Sequence, residues 1–477
     1  MKNKIIGRQR EVGRLEAVMQ SGRAELVAIY GRRRIGKTYL VREFFNDEFD
    51  YYATGVFEGS NAVQIDAFCD WLYRYAGIVR SSIKSWMEAF AALRDYLDTI
   101  KKKRIVVFLD ELPWLDVPPG QFIKAFEWFW NSWGASKANL KLIVCGSSTS
   151  WMTDKFINGK GGLYNRTTER LYLAPFNLLE TEQLLKHNGV DWNRQTVLDA
   201  YMVFGGVPFY LGMIQRNLSL DANIDELFFS ENAPLAHEYH FLFRSLFRNY
   251  EFYIRIIDAI SRKNMGITRK EIQKIAKIPD GGMLSTALSN LETCDFIRRY
   301  SAYGKKERDA MYQLTDLFVL FFKRFVENYN GKDPHHWTNI IDNQSRRSWT
   351  GIAFEQVCLL HVQQIKQALG ISGVQTDVCS WFYPGDEYTP GAQIDMLIQR
   401  RDKVINICEM KYSGSDYAVT TSEYKKIQTR RSTFAQISKA TEALHLTLIT
   451  PWGLKNNANS NIVNQTITMT HLFLPVF

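Results

Sequence analysis

The run Leu26-Val27-Ala28-Ile29-Tyr30 followed by Gly31-Arg32-Arg33-Arg34-Ile35-Gly36-Lys37-Thr38 constrains this chain more than any other segment, because it sets an apolar strand, a glycine-bounded loop and a helix in direct succession. In the spacing G-x-x-x-x-G-K-T the glycines let backbone N–H groups curl around phosphates, with the positive N-terminus of the following helix beneath them. Lys37 reaches the β and γ phosphates, and the Thr38 hydroxyl is placed to complete the shell of a Mg²⁺ ion bridging the same two groups. The loop reads a nucleoside triphosphate, ATP or GTP, and does not choose between them. The helical stretch Tyr39-Leu40-Val41-Arg42-Glu43-Phe44-Phe45 argues against a chance match.

A second apolar run, Ile105-Val106-Val107-Phe108-Leu109, ends in Asp110-Glu111 and suits a central parallel strand. Its acids then emerge at the carboxyl end of a sheet, where open α/β folds bind ligands, so that Asp110 holds Mg²⁺ and Glu111 polarises the attacking water. The two form a Walker B pair. A third run, Leu140 to Cys145, leads into Gly146-Ser147-Ser148, which serves either as a γ-phosphate sensor or as a plain turn.

At 477 residues, with 46% hydrophobic residues, the chain has material for several cores. It contains no apolar stretch long enough to span a bilayer, and the segment Met1 to Arg8 lacks the apolar centre of a signal peptide, so the expectation is a soluble, cytoplasmic protein. Six scattered cysteines without a C-x-x-C pair indicate neither zinc nor disulfides. The 59 basic against 50 acidic residues give a net charge of +9, the sign that favours a polyanion, although a solvated basic surface has the same composition.

Pattern changes near Pro234 and across Asn328 to Pro334 mark boundaries. Between them, Thr268 caps a helical pattern through Ala276, the turn Pro279-Asp280-Gly281-Gly282 follows, and a second helix runs from Leu284 to Leu291. The strands Phe296 to Tyr300 and Met311 to Leu314 flank a polar loop, in the outline of a wing. Arg298, Arg299, Lys305, Lys306 and Arg308 then offer phosphate contacts, whereas the second helix carries no Arg or Lys; DNA contact and a purely structural role both remain open.

Further on, Gln393 to Ile398 and Val404 to Lys411 read as adjacent strands joined by a charged turn. Alternation puts Gln393 and Asp395 on one face of the first, and Glu409 and Lys411 on one face of the second. A helix from about Thr350 to Leu369 turns Glu355 toward the core, where a carboxylate needs a cation to neutralise it, Mg²⁺ or Lys411.

The chain resembles the archaeal-type AAA+ ATPases of the signal-transduction NTPase group. The resemblance rests on Ile6-Gly7-Arg8-Gln9-Arg10-Glu11, the phosphate loop, Phe108 to Leu115, Gly146-Ser147-Ser148, and the stretch from Leu163-Tyr164-Asn165-Arg166-Thr167 to Pro175-Phe176. It implies a helical lid, of which Tyr201 to Pro208 looks like the glycine-proline signature. It also implies a phosphate-sensing role for Arg166, although Asn165 replaces the family's usual glycine and an exposed salt-bridging arginine is the alternative. The segment from Thr268 to Leu314 resembles a winged helix. Glu355, Asp395, Glu409 and Lys411 resemble the restriction-endonuclease-like motif of a helix acid, D and E-x-K. That resemblance implies Mg²⁺ on Asp395 and Glu409, Glu355 completing its inner or outer shell, Lys411 orienting the attacking water or stabilising the pentavalent phosphate, and phosphodiester hydrolysis.

The expected architecture is therefore α/β, with a P-loop AAA+ core (1–175), a helical lid (176–233), a winged helix (234–330) and a restriction-endonuclease-like α/β domain (331–477). The expected function is Mg²⁺-dependent ATP hydrolysis coupled to a DNA-binding or DNA-cleaving tail. The alternative is a nucleotide-dependent switch acting on a protein partner with an inactive nuclease-like tail. The sequence leaves a protein partner and an oligomer open.

Overall fold

The computed structural model describes residues 5–78, 83–157, 162–163, 165–304 and 310–476. Tyr164 and the loop cations Lys305, Lys306 and Arg308 lie outside the described residues. The chain divides into two compact units, Met1–Pro175 and Phe176–Phe477.

The first unit is built on five parallel strands: β1 (Glu25–Tyr30), β2 (Tyr51–Thr54), β3 (Ile105–Asp110), β4 (Leu140–Gly146) and β5 (Glu169–Tyr172), in the order β2-β3-β4-β1-β5. Both faces are covered, and β1 shows how. Leu26 and Ala28 join one apolar cluster with the helices Asn61–Ala76, Trp86–Thr99 and Phe122–Ser132, while Val27 and Ile29 join a second with Gln9–Gln20 and Lys37–Phe45. This two-sided burial is why β1, β3 and β4 read as unbroken apolar runs. The order sets β4 between β1 and β3, so the phosphate loop, Asp110-Glu111 and Gly146-Ser147 all leave the sheet at one edge, as in a P-loop ATPase core.

In the second unit, β6 (Ile267–Thr268), β7 (Ile297–Tyr300) and β8 (Met311–Leu314) form a small antiparallel sheet in the order β6-β8-β7. Between β6 and β7, Thr268 caps the helix Arg269–Ala276 through a capping box with Glu271, and the helix Gly282–Thr293 follows the turn. Arg298 differs from its sequence reading. It turns inward, donating to Gln313 at 2.6 Å and lying over the Tyr300 ring at 4.6 Å, so it is no surface phosphate contact.

The larger sheet has the order β13-β12-β11-β10-β9, from β9 (Thr376–Tyr383), β10 (Ala392–Arg400), β11 (Val404–Met410), β12 (Ala443–Ile449) and β13 (Gln465–Ile467). β9, β10 and β11 pair antiparallel, and β11, β12 and β13 parallel. One face joins an apolar cluster whose residues range from Leu178 to Phe473, among them Phe204, Phe243, Phe321 and Phe354. The other packs Trp381, Ile394, Leu397, Ile405 and Ile407 under Ile427 and Phe434 of the helix Thr421–Ser438.

The helix expected from about Thr350 to Leu369 is instead two, Gln344–Leu360 and Val362–Ala368, broken at His361. The residue at the break makes two polar contacts through its ring. The buried His361 ring lies 2.8 Å from the Val357 carbonyl through Nδ1 and accepts the Leu178 N–H at Nε2 (3.1 Å), capping the start of the helix Leu178–His187. Burial holds its pKa down at about 4, so the imidazole stays neutral. All six cysteines are free thiols, five of them buried. Among the described residues no helix is long and apolar enough to cross a membrane.

Candidate active sites

At the nucleotide site the phosphate loop is shaped by two glycines with positive φ. Gly31 (φ 145°) has the Leu173 carbonyl oxygen 2.3 Å from where a Cβ would sit, and Gly36 (φ 86°) starts the helix Lys37–Phe45. Arg8 pins the loop from below, donating to the carbonyls of Ala174 (2.7 Å) and Ile35 (3.3 Å). The buried Lys37 ammonium donates to the Gly31 and Arg32 carbonyls, each at 2.9 Å, which keeps its charge inside the loop. The Arg33 guanidinium lies 5.9 Å from the centre of the Trp114 ring, and Arg34 takes a left-handed turn (φ 74°) before Ile35 buries itself.

Thr38 and Asp110 meet across the strands: the threonine hydroxyl donates to Asp110 Oδ2 at 2.8 Å. Asp110 Oδ1 accepts the Glu111 N–H at 2.9 Å and faces the Cys145 thiol, whose pKa burial and the Asp110 charge push far up. Glu111 sits at φ 48°, a left-handed conformation that costs a non-glycine residue about 1 kcal/mol. Its carboxylate accepts both the N–H (3.0 Å) and the hydroxyl of Ser147. Cys145, near the end of β4, thus meets one acid, and Ser147, just past the strand, meets the other. The sequence located Ser147 but gave no sign of its partner, because that pairing follows from β4 lying beside β3. A hydroxyl and a carboxylate in contact at a helix N-terminus suit a hard divalent cation shared with phosphate oxygens. Arg166 is exposed.

The second site lies around the end of β11. The register Met396–Cys408, carried one residue on, sets Asp395 opposite Glu409, and an irregularity between Ile394 and Leu397 re-aims Asp395 within β10. Gln393 donates to Asp395 Oδ1 at 2.5 Å. Glu409 is buried and bound by two cations, Lys411 at 3.8 Å and Arg430 in direct contact. Glu355 belongs to the same group. Burial first, then the charge of Asp395, pushes its pKa up to about 8, with Glu409 adding to the rise and Lys411 and Arg430 opposing it. The four residues singled out in the sequence are therefore brought together, and Arg430 is the member that sequence reasoning missed. As folded, Asp395 and Glu409 are occupied by Gln393, Lys411 and Arg430. Among the described residues no three His, Cys, Asp or Glu side chains are grouped to hold a metal ion. This set does not fit a Mg²⁺ centre in the arrangement present.

Residues 5–214 match the family described as an ATPase domain predominantly from Archaea. This segment is an ATPase domain. Its activity is ATP hydrolysis, and the loop, Thr38 and Asp110 lie within it. The chain is 25% identical to the Methanocaldococcus jannaschii protein MJECL04 over 415 residues, which is 86% of this chain and 87% of that protein. Among solved structures, the Walker-type ATPase of Pyrococcus abyssi is 18% identical with a TM-score of 0.47, covering 67% of this chain and 96% of that one. The ORC2 protein of Aeropyrum pernix, in ADPNP-ADP complexes, is 13% identical with a TM-score of 0.42, covering 73% and 98%.

Proposed function

We propose that the ATPase domain is of the AAA+ type, works with Mg²⁺, and controls a DNA-binding tail. The observation that carries the nucleotide chemistry is the Thr38–Asp110 hydrogen bond, which sets one hydroxyl and one carboxylate at the mouth of the phosphate loop. Mg²⁺ held by these two residues would neutralise charge on the β and γ phosphate oxygens. Lys37 then exchanges the Gly31 and Arg32 carbonyls for phosphate oxygens, and the loop N–H groups supply the remaining donors. Glu111, one residue past the metal-holding acid, orients and polarises the attacking water once its carboxylate leaves Ser147.

Steady-state phosphate release tests these roles. Lys37→Ala loses turnover together with nucleotide binding. Glu111→Gln keeps binding and loses turnover by about 10² or more, the range for removing a general base; turnover at the unmodified rate in Glu111→Gln would sink the assignment.

We read the second unit as a lid over 176–233, a winged helix over 234–330 and a nuclease-like domain over 331–477 built on one shared core, with DNA as the partner. What supports the nuclease-like reading is the gathering of Glu355, Asp395, Glu409 and Lys411 around the end of β11. Cleavage is tested by nicking of supercoiled plasmid in Mg²⁺ or Mn²⁺. Nicking that disappears in Glu409→Ala establishes a nuclease, and no nicking by either protein leaves DNA binding. ATP turnover that DNA stimulates supports the coupling, whereas turnover indifferent to DNA favours a switch acting on a protein partner.

A further inference from the structure

Two cations from different elements reach the buried Glu409 carboxylate: Lys411 from the residue just past β11 and Arg430 from the helix Thr421–Ser438. The carboxylate is 5% exposed, while the Lys411 and Arg430 side chains are 39% and 28% exposed, so the anion is interior and the cations face outward. Arg430 meets Glu409 through Nη1, which leaves the Nε and Nη2 N–H groups of its planar fork for a second acceptor. Lys426 lies one helical turn before Arg430 on the same flank and is exposed, as are Lys425 and Arg431. The helix has a single acid, Glu423, and its carboxylate is already taken by the N–H and hydroxyl of Thr420 and the hydroxyl of Tyr417. The exposed flank of this helix therefore carries Lys425, Lys426 and Arg431 beside Arg430, with no carboxylate of the helix left to pair them.

We propose that Arg430 and Lys411 are a phosphodiester-binding pair that lays a nucleic-acid backbone along the helix Thr421–Ser438, with Glu409 as the buried anchor that holds both cations in place. A phosphodiester offers two acceptor oxygens and one negative charge, which matches a guanidinium fork beside an ammonium. This binding needs no divalent ion. It rests on the DNA-binding reading above and names the residues that perform it.

The test is fluorescence anisotropy of a labelled duplex oligonucleotide with the full chain in EDTA, across a salt series. The unmodified protein binds. Arg430→Ala weakens binding about tenfold and flattens the slope of log K against log salt by about one phosphate contact. Arg430→Lys recovers part of the loss, because it keeps the charge without the fork. Removing Arg430 leaves a buried carboxylate less well paired, so the same comparison is made in a Glu409→Gln background, where misfolding from that cause is removed. Affinity and slope unchanged by Arg430→Ala in both backgrounds overturn the proposal and leave DNA binding elsewhere on the chain. No binding by the unmodified protein at low salt overturns the proposal and the DNA reading together. Displacement of the duplex by polyglutamate as readily as by unlabelled duplex overturns the nucleic-acid assignment in favour of an acidic peptide.

Discussion

Single side chains in the acid group respond to pH in a direction that follows from their surroundings. Glu355 titrates near its ordinary value of 4.5 in the unfolded chain and near 8 when folded. Between those values the folded chain holds a proton that unfolding releases, so this residue's contribution falls as pH rises from about 4.5 to about 8 and is level outside that window. Urea midpoints in EDTA at pH 5, 6.5 and 8.5 measure it. Stability of the unmodified protein falls relative to Glu355→Gln across the series, and parallel curves would show that Glu355 is not buried among like charges. His361 runs the other way. Its imidazole is held neutral down to about pH 4, so the stability it contributes is lost as pH falls from about 6.5 toward 4. The two windows overlap between about pH 4.5 and 6.5, where the effects oppose each other, so the comparison with Glu355→Gln isolates the first and the range above pH 6.5 shows it alone.

At the scale of elements, glycines with opposite surroundings give opposite expectations. After the helix Arg194–Phe204, Gly205 (φ 65°) and Gly206 (φ 66°) both turn left-handed, and Pro208 opens the next helix. A Cβ on Gly206 would lie 2.1 Å from the Phe176 carbonyl oxygen, the same residue whose N–H bonds to Gly206. Gly206→Ala is therefore expected to destabilise by more than about 2 kcal/mol, from backbone overlap added to left-handed strain. Gly13 lies exposed inside the helix Gln9–Gln20 with nothing within 4 Å of a Cβ, and Gly13→Ala is expected to stabilise by about 0.5–1 kcal/mol. Thermal melts of the two variants check both signs.

The same scale explains what was legible in the sequence. β1, β3 and β4 showed as apolar runs because both faces of their sheet are covered, and β10 and β11 showed through alternation and the charged turn between them. The break at His361 did not show, since the apolar spacing continues through it and the ring's partner, the Leu178 N–H, is more than a hundred residues away in sequence. Arg430 did not show either. It belongs to a polar helix with little apolar periodicity, and its link to Glu409 exists only once that helix is laid on the sheet. Arg298 misled for a related reason: a charged residue on a short strand reads as exposed until Gln313 and Tyr300 are seen beside it.

For the molecule as a whole, the apolar cluster of the second unit sets where the chain can be cut. Phe321 and Phe325 pack edge-on against Trp337 and Trp349, with ring centres 5.0–5.6 Å apart, so residues on both sides of position 330 share one aromatic group. A protein ending at residue 330 is expected to expose this surface, to bind the dye ANS and to melt less cooperatively than the full chain. A cooperative melt without dye binding would show that the segment before 330 holds a core of its own.

The shared core also bears on how chains of this kind can diverge by recombination. A crossover near residue 175 joins two sequences at a point where each side keeps its own apolar clusters whole. A crossover near residue 330 asks Phe321 and Phe325 from one parent to receive tryptophans shaped by another. Hybrids between this chain and relatives as distant as 25% identity should therefore survive at the first junction and fail at the second, making the segment from Phe176 onward a single heritable block.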